Sequence, residues 1–315
     1  YNRAMEKNVN NVGSITGGIA FSAAVVVYVF INLIFSIICI ATGFTAVGEN
    51  GEVNSAYIYV SYLIAPLSVG ISLPIVLKKR NVPFARVMPF KTQSPKKDLK
   101  WCAVAVTLAF GLLFSLSWLN VGFEKLLRLC GYEGTQNYFP DLSGGWVVLA
   151  LIVMAVIPAV FEETLFRGAV LSDIREEAGE LNSVFLCGMC FALFHASALQ
   201  TIYQFICGCA FALLFIRSRS LVPCILAHFL NNAVIVILQA CGLDTAGSIF
   251  DWAPLWAAIL VTALSALSLL GSAAVLVFDK TPLVKGQKGG VKKFFLAAAV
   301  GIVVLAILWI AGLFV

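Results

Sequence analysis

Six polar residues of the kinds that perform acid–base chemistry interrupt apolar sequence in the middle of the chain. They are Glu162, Glu163 and Arg167 in PAVFEETLFRG, His195 in FALFH, and His228 and Asn232 in HFLNN. The chain contains two histidines, and both belong to this set. Ionisable residues within apolar helices are rare and mark functional sites by default. The six residues therefore indicate a site that folding alone does not require.

Helical spacing groups the residues of the first stretch. Glu163 and Arg167 are four positions apart, so they share one helix face and can form an ion pair. Glu162 points about 100° away from Glu163 and is free for another task. The spacing thus predicts a supporting ion pair beside one available carboxylate.

The other two stretches show the same spacing. Phe191 and His195 are four positions apart, and so are His228 and Asn232. Each pair therefore projects from one helix face. Asn231, three positions from His228, is a near-equivalent alternative to Asn232.

These residue types can activate water without a covalent nucleophile. A carboxylate beside a neutral imidazole can remove a proton from water. A second imidazole and an amide N–H can donate to a developing oxyanion, a role worth about 2.7–4 kcal/mol per donor. The chain has no G-x-S-x-G element that would indicate a serine nucleophile. The set would suffice for attack of water on a peptide carbonyl.

A metal site is the alternative reading of the same residues. Glu162, His195 and His228 could hold Zn²⁺ with one coordination position open. The H-E-x-x-H signature is absent, and the ligands would come from three separate helices. Residue chemistry alone leaves the metal-dependent and metal-free schemes both open.

The composition requires a membrane environment for these residues. The chain has 315 residues, of which 61% are hydrophobic and 12% charged, whereas soluble domains average about 25% charged residues. The net charge of +5 does not indicate nucleic-acid binding, because the basic residues lie between apolar runs. We expect an integral membrane protein in contact with the lipid bilayer.

Apolar runs of about 18 or more residues predict membrane-spanning helices. Nine such runs cover roughly residues 14–43, 54–77, 101–123, 146–166, 182–198, 201–216, 220–240, 253–278 and 293–315. The predicted fold is an all-α polytopic bundle of eight or nine spans that forms one membrane domain over residues 1–315. Residues 146–240 would form its catalytic core.

The basic residues predict the orientation of the bundle. If the N-terminus is cytoplasmic, 19 of the 21 Lys and Arg residues fall in cytoplasmic segments, and only Lys125 and Arg128 fall outside. Such asymmetry follows the positive-inside rule. We therefore expect the N-terminus of this multi-pass protein to lie in the cytoplasm. The membrane itself is expected to be a bacterial cell membrane.

The predicted helix ends also give depths for the site residues. At 1.5 Å per residue, Glu162 lies roughly 6 Å from the cytoplasmic end of its helix. On the same scale His228 lies about 12 Å in, Asn232 about 18 Å and His195 roughly 20 Å. The four side chains are expected to meet in one water-filled pocket in the cytoplasmic half of the bundle.

Three motifs in order make the sequence similar to a known family. EETLFR matches E-E-x-x-x-R, FALFH matches F-x-x-x-H, and HFLNN matches H-x-x-x-N. In this order they resemble the CAAX protease and bacteriocin-processing family, also called the Abi or type II CAAX prenyl endopeptidase family. The resemblance implies an intramembrane glutamic protease of eight or nine helices with a cavity that faces the cytosol.

The resemblance also implies a role for each motif residue. Glu162 would activate water together with His195, and His228 and Asn232 would form the oxyanion site. Supporting roles would fall to Glu163, Arg167 and Phe191. A metal-free scheme is favoured for the family, so no cofactor is expected.

The expected activity is cleavage of a membrane-associated protein or peptide. It would serve CAAX-type processing, or bacteriocin and peptide maturation and self-immunity. Two other classes of function remain open from the sequence. A non-proteolytic immunity or scaffold protein would bind a membrane partner, such as a sensor or regulatory protein, through the same cavity. A proton-coupled transporter would use the Glu and His residues as a relay.

Overall fold

The computed structural model of the protein describes residues 15–48, 50–90, 94–132, 138–243, 248–281 and 290–314. Its helices in chain order are α1 Ile15–Thr42, α2 Ser55–Lys79, α3 Phe84–Val87, α4 Pro95–Leu129, α5 (a continuous helical run from Trp146–Ala150 to Ser172–Ala178), α6 Glu180–Phe194, α7 Thr201–Ser218, α8 Leu221–Ala240, α9 Ile249–Trp252, α10 Leu255–Phe278 and α11 Gly290–Ala311. The β pairing among these residues is a single antiparallel bridge between Val47 and Val53. The prediction of an all-α fold is confirmed.

Eight of the described helices are long and apolar enough to cross a membrane. They are α1, α2, α4, α5, α7, α8, α10 and α11. Helix α6, which corresponds to the run 182–198, has only 15 residues. Its length of about 22 Å is shorter than a hydrocarbon core of about 30 Å. The chain is an integral multi-pass membrane protein. Its orientation stays a prediction, and Arg3 and Lys7 lie outside the described residues.

The site helices lie in the interior of the bundle. Half of the apolar window of α5 is buried, and α7 is buried slightly more, whereas the window of α1 is only 11% buried. Helix α10 packs on α4, and α11 packs on α1. Helices α5 and α7 therefore bury more of their surface inside the bundle than α1 does, which is what polar side chains on them need.

Helix α4 extends further than its apolar run predicts. The run 101–123 and the amphipathic segment after it form one helix of 35 residues, Pro95–Leu129. No Gly or Pro interrupts residues 123–129, and Glu124 pairs with Arg128 one turn later at 2.6 Å. Good helix formers with an i,i+4 ion pair continue a helix beyond its apolar part.

Helix α5 departs from α-helical geometry on both sides of the glutamates. The segments Leu151–Val156 and Thr164–Leu171 are π-helical and flank the α-helical segment Ile157–Glu163. Segments of π-helix are rare in proteins, and those that occur are often found at functional sites. The spanning run reaches Arg175, so Glu162 lies roughly 20 Å from that end rather than 6 Å. The site is therefore nearer the middle of the helix than the sequence predicts.

The basic loop between α2 and α4 packs on the end of α5. Val87 of the short helix α3 is buried, and Arg86 approaches Asp173 at 3.9 Å. The Pro89 carbonyl accepts a hydrogen bond from the backbone N–H of Leu221 at the start of α8. The loop therefore packs against the end of α5 and the start of α8, in addition to its role in the predicted membrane topology.

Replacing Gly168 with alanine is expected to destabilise the protein by at least about 1–3 kcal/mol, the usual cost of overpacking. A Cβ at this position would overlap the backbone carbonyl of Val87, which cannot move away as a side chain can. Thermal unfolding in detergent measures the effect. Gly122→Ala in α4 is the control, because a Cβ there meets no atom within 4 Å. Equal unfolding temperatures for the two variants would contradict the docking of the loop.

Candidate active site

A fully buried ion pair forms the base of the site. Arg167 Nη1 donates to Glu163 Oε1 at 2.9 Å, and neither side chain is exposed to solvent. Arg167 Nη2 donates to the carbonyl of Gly208 on α7 at 3.0 Å. The guanidinium also lies 4.6 Å from the ring centre of Phe191 and 5.4 Å from that of Phe211. Charge pairing, hydrogen bonds and two aromatic faces together hold the arginine in place.

The Gly208 contact depends on close packing between α6 and α7. A Cβ at Gly208 would lie 2.8 Å from the Cα of Gly188, so the two helices cross at small residues. Small residues let helix backbones approach in membranes. The approach leaves the Gly208 carbonyl within reach of Arg167.

Glu163 also binds one of the two histidines. Its Oε1 lies 2.8 Å from His228 Nδ1 as well as 2.9 Å from Arg167. A carboxylate oxygen paired with a guanidinium is an acceptor, so His228 donates from Nδ1. The other ring nitrogen, Nε2, then faces the remaining part of the site. Nε2 accepts a proton in the neutral ring and donates only from the imidazolium.

Glu162 carries the carboxylate that is free for chemistry. The residue is only 7% exposed, and its Oε2 accepts no hydrogen bond from the described residues. This oxygen lies 3.9 Å from His228 Nε2, which is beyond hydrogen-bond distance. A buried carboxylate oxygen without a partner is costly to keep in a fold. Glu162 Oε2 and His228 Nε2 therefore face each other without a direct hydrogen bond.

His195 lies where α6 ends. It caps the helix, and Ala196 after it takes a left-handed conformation with φ +46°. Its Nδ1 contacts the carbonyl of Phe191 at 2.8 Å. Because a carbonyl only accepts, Nδ1 carries the proton in the neutral ring, and Nε2 is left as a base.

Phe191 connects the two imidazoles. Its ring centre lies 4.8 Å from that of His195 and 5.8 Å from that of His228. His195 also lies within electrostatic range of the Glu162 carboxylate. Both imidazoles and the Arg167 guanidinium are thus gathered around one aromatic side chain.

Asn232 makes a different set of contacts. Its Nδ2 donates to the carbonyl of Met154 on α5 at 3.3 Å, and its Oδ1 accepts from Asn231 Nδ2 at 3.4 Å. One N–H of the Asn232 amide therefore serves a backbone acceptor, as membrane burial requires. Its second N–H is not used by this contact.

Some residues of the site were not included in the predicted set. Gly208 and Phe211 enclose Arg167, and Tyr203 binds Asn231. All three are on α7, which carries none of the motifs. Tyr203 is a hydrogen-bonding side chain within an apolar run, which is the one signal that the sequence offers for it.

The described residues do not form a ready metal site. No three side chains of the His, Cys, Asp and Glu types are grouped in them as metal ligands would be.

Comparison with known proteins agrees with the motifs. Residues 144–234 match the family model described as Type II CAAX prenyl endopeptidase Rce1-like. Over 138 residues, 40% of this chain, the sequence is 26% identical to a Bacillus subtilis (strain 168) protein named "Putative membrane peptidase YdiL". The match spans 57% of that relative, a little over half its length. No solved structure is significantly similar.

The segment matched by the family model contains all three motifs and most of α5 to α8. Within it, Glu163 of the first motif contacts His228 of the third motif at 2.8 Å. Residues 144–234 of this membrane protein therefore match the Rce1-like type II CAAX prenyl endopeptidase family, and the resemblance drawn from the three motifs is confirmed over that segment.

Proposed function

We propose that the protein is an intramembrane endopeptidase that hydrolyses a peptide bond with water activated by Glu162. The observation that carries this proposal is the buried, unpartnered Glu162 Oε2 at 3.9 Å from His228 Nε2. A base and an oxyanion donor must both lie about 3 Å from the reacting atoms. The 3.9 Å separation suits a peptide carbonyl at His228 with an attacking water at Glu162.

The proposed reaction begins with the water. Glu162, assisted by His195, takes one proton as the water oxygen bonds to the carbonyl carbon. The carbonyl oxygen becomes an oxyanion that accepts hydrogen bonds from the His228 imidazolium and the second N–H of Asn232. When the C–N bond breaks, Glu162 gives its proton to the leaving amine. No group other than substrate and water is consumed.

The Glu163–Arg167 pair supports this reaction through His228. The Glu163 oxygen at 2.8 Å from Nδ1 holds the His228 ring so that Nε2 faces the reacting carbonyl. Arg167 and its aromatic neighbours hold that oxygen in place. Second-shell bonds of this kind fix the ring that touches the substrate.

The proposed substrate is a membrane-associated protein or peptide. The site lies on helices in the centre of the bundle, so a substrate reaches it from the bilayer or from its surface. CAAX-type processing, and peptide or bacteriocin maturation with self-immunity, both supply such substrates. The excess of basic residues in alternate segments supports a cytoplasmic N-terminus in a cell membrane.

Cleavage of a membrane-peptide library by the purified protein in detergent tests the proposal. The library includes peptides with and without a C-terminal prenylcysteine, and products are identified by mass spectrometry. We expect cleavage at a defined bond, at a rate unchanged by a strong chelator. Loss of activity with chelator and recovery with Zn²⁺ would support the metal scheme instead. If no peptide is cleaved, capture of a membrane partner would favour a scaffold. Ion flux in sealed vesicles would instead favour a transporter.

A further inference from the structure

A row of hydrogen bonds runs from α7 to α5 through two adjacent asparagines. Tyr203 Oη donates to Asn231 Oδ1 at 2.6 Å, and Asn231 Nδ2 donates to Asn232 Oδ1 at 3.4 Å. Asn232 Nδ2 then donates to the Met154 carbonyl at 3.3 Å. Tyr203 is 5% exposed and Asn231 is 6% exposed. The motifs and the proposed reaction assign no role to either residue.

The direction of each bond in this row is determined by its last acceptor. The Met154 carbonyl only accepts, so Asn232 must present Nδ2 to α5 and Oδ1 to Asn231. Asn231 must then present Nδ2 to Asn232, which leaves its own Oδ1 for a donor. The Tyr203 hydroxyl is that donor. Without it, the Asn231 amide has a buried oxygen without a partner and loses the contact that determines its orientation.

We infer that Tyr203 is a positioning residue for the proposed reaction. It acts through Asn231 to hold the Asn232 amide in one orientation, so that the second N–H of Asn232 is available to the oxyanion. The inference rests on the proposed function, in which Asn232 donates to the oxyanion. It adds α7 to the helices that control catalysis, and it explains why two consecutive asparagines follow His228 on α8.

Tyr203→Phe is the direct test, because it removes one oxygen atom and keeps the ring. We expect kcat to fall about 10- to 100-fold, a part of the effect of losing an oxyanion donor. KM should stay within about twofold, because the interaction is made in the transition state. Tyr62→Phe on α2 is the matched control and should retain the kcat of the natural protein.

A double-mutant cycle separates positioning from a general structural effect. If Tyr203 acts through Asn231, Tyr203→Phe adds little further loss of kcat to Asn231→Leu. Multiplied losses would mean that Tyr203 acts independently and would overturn the inference. A Tyr203→Phe variant with unchanged kcat would also overturn the inference. The same holds for a variant whose kcat falls only in proportion to its folded fraction, measured by thermal unfolding.

The same experiment keeps the two proposals apart. If the natural protein cleaves no peptide in the library, the proposed function fails, and the positioning role fails with it. If the natural protein cleaves and Glu162→Gln does not, the proposed function stands, and the result for Tyr203→Phe decides the inference alone.

Discussion

Replacing Glu162 with glutamine is expected to lower kcat by at least about 100-fold, within the usual contribution of a general base. Glutamine has nearly the same shape as glutamate but does not take a proton from water. The Glu162 Oε2 atom accepts no hydrogen bond from the described residues, so the substitution disturbs no other contact of that atom. The loss should therefore appear in kcat, with KM little changed.

Peptide cleavage by purified Glu162→Gln, compared with the natural protein at equal folded concentration, measures this effect. Glu52→Gln is the matched control, because Glu52 is an exposed carboxylate far from the motifs in sequence. Glu163→Gln should also slow cleavage, since it weakens the support of His228. Turnover by Glu162→Gln equal to that of the natural protein would falsify the assignment of the base.

The same substitution should leave stability unchanged or increase it. A buried carboxylate without a partner costs folding free energy, and a neutral amide removes that cost. Thermal unfolding of Glu162→Gln should thus occur at the same or a higher temperature. A lower activity together with equal or greater stability is the pattern expected where a strained site is kept for function.

Much of the fold follows from hydrophobic runs alone. In lipid, backbone groups must be paired within each segment, so a long apolar run has little alternative to a helix. The runs 14–43 and 253–278 accordingly agree closely with α1, Ile15–Thr42, and α10, Leu255–Phe278. Helix ends beyond the apolar part, as at Leu129, depend on local helix formers and ion pairs that a hydropathy run does not register.

The contacts among the candidate residues could be predicted only in part. Spacing alone indicates that Glu163 and Arg167 share a face, and their ion pair at 2.9 Å agrees with it. Spacing cannot show that Glu163 also binds His228, because that contact depends on the packing of two helices. It also cannot show that Asn232 donates to the Met154 carbonyl on α5. The catalytic roles themselves stay predictions.

Replacing Arg167 with methionine is expected to cost about 3–5 kcal/mol of folding free energy, the usual effect of removing one partner of a buried ion pair. Methionine fills a similar volume between Phe191 and Phe211 but leaves the Glu163 carboxylate without its cation. The Gly208 carbonyl also loses its donor. Thermal unfolding in detergent, with folded yield from the membrane fraction, measures the loss.

Arg128→Met provides a control with the same spacing. Arg128 and Glu124 also form an i,i+4 ion pair, at 2.6 Å, but both side chains are partly exposed. Exposed pairs contribute at most about 1 kcal/mol, so this variant should unfold close to the natural protein. If Arg167→Met and Arg128→Met lose equal stability, burial of the Arg167–Glu163 pair does not determine its effect.

The double variant Glu163→Gln with Arg167→Met tests the cause of the loss. If the loss arises from an uncompensated buried charge, neutralising Glu163 should recover part of the stability that Arg167→Met removes. Cleavage should remain low in the double variant, because glutamine does not hold the His228 ring as the carboxylate does. A double variant less stable than Arg167→Met alone would instead mean that Glu163 contributes mainly through its bond to His228. Recovery of stability without recovery of cleavage would separate the structural effect of the charge pair from its effect on the reacting imidazole.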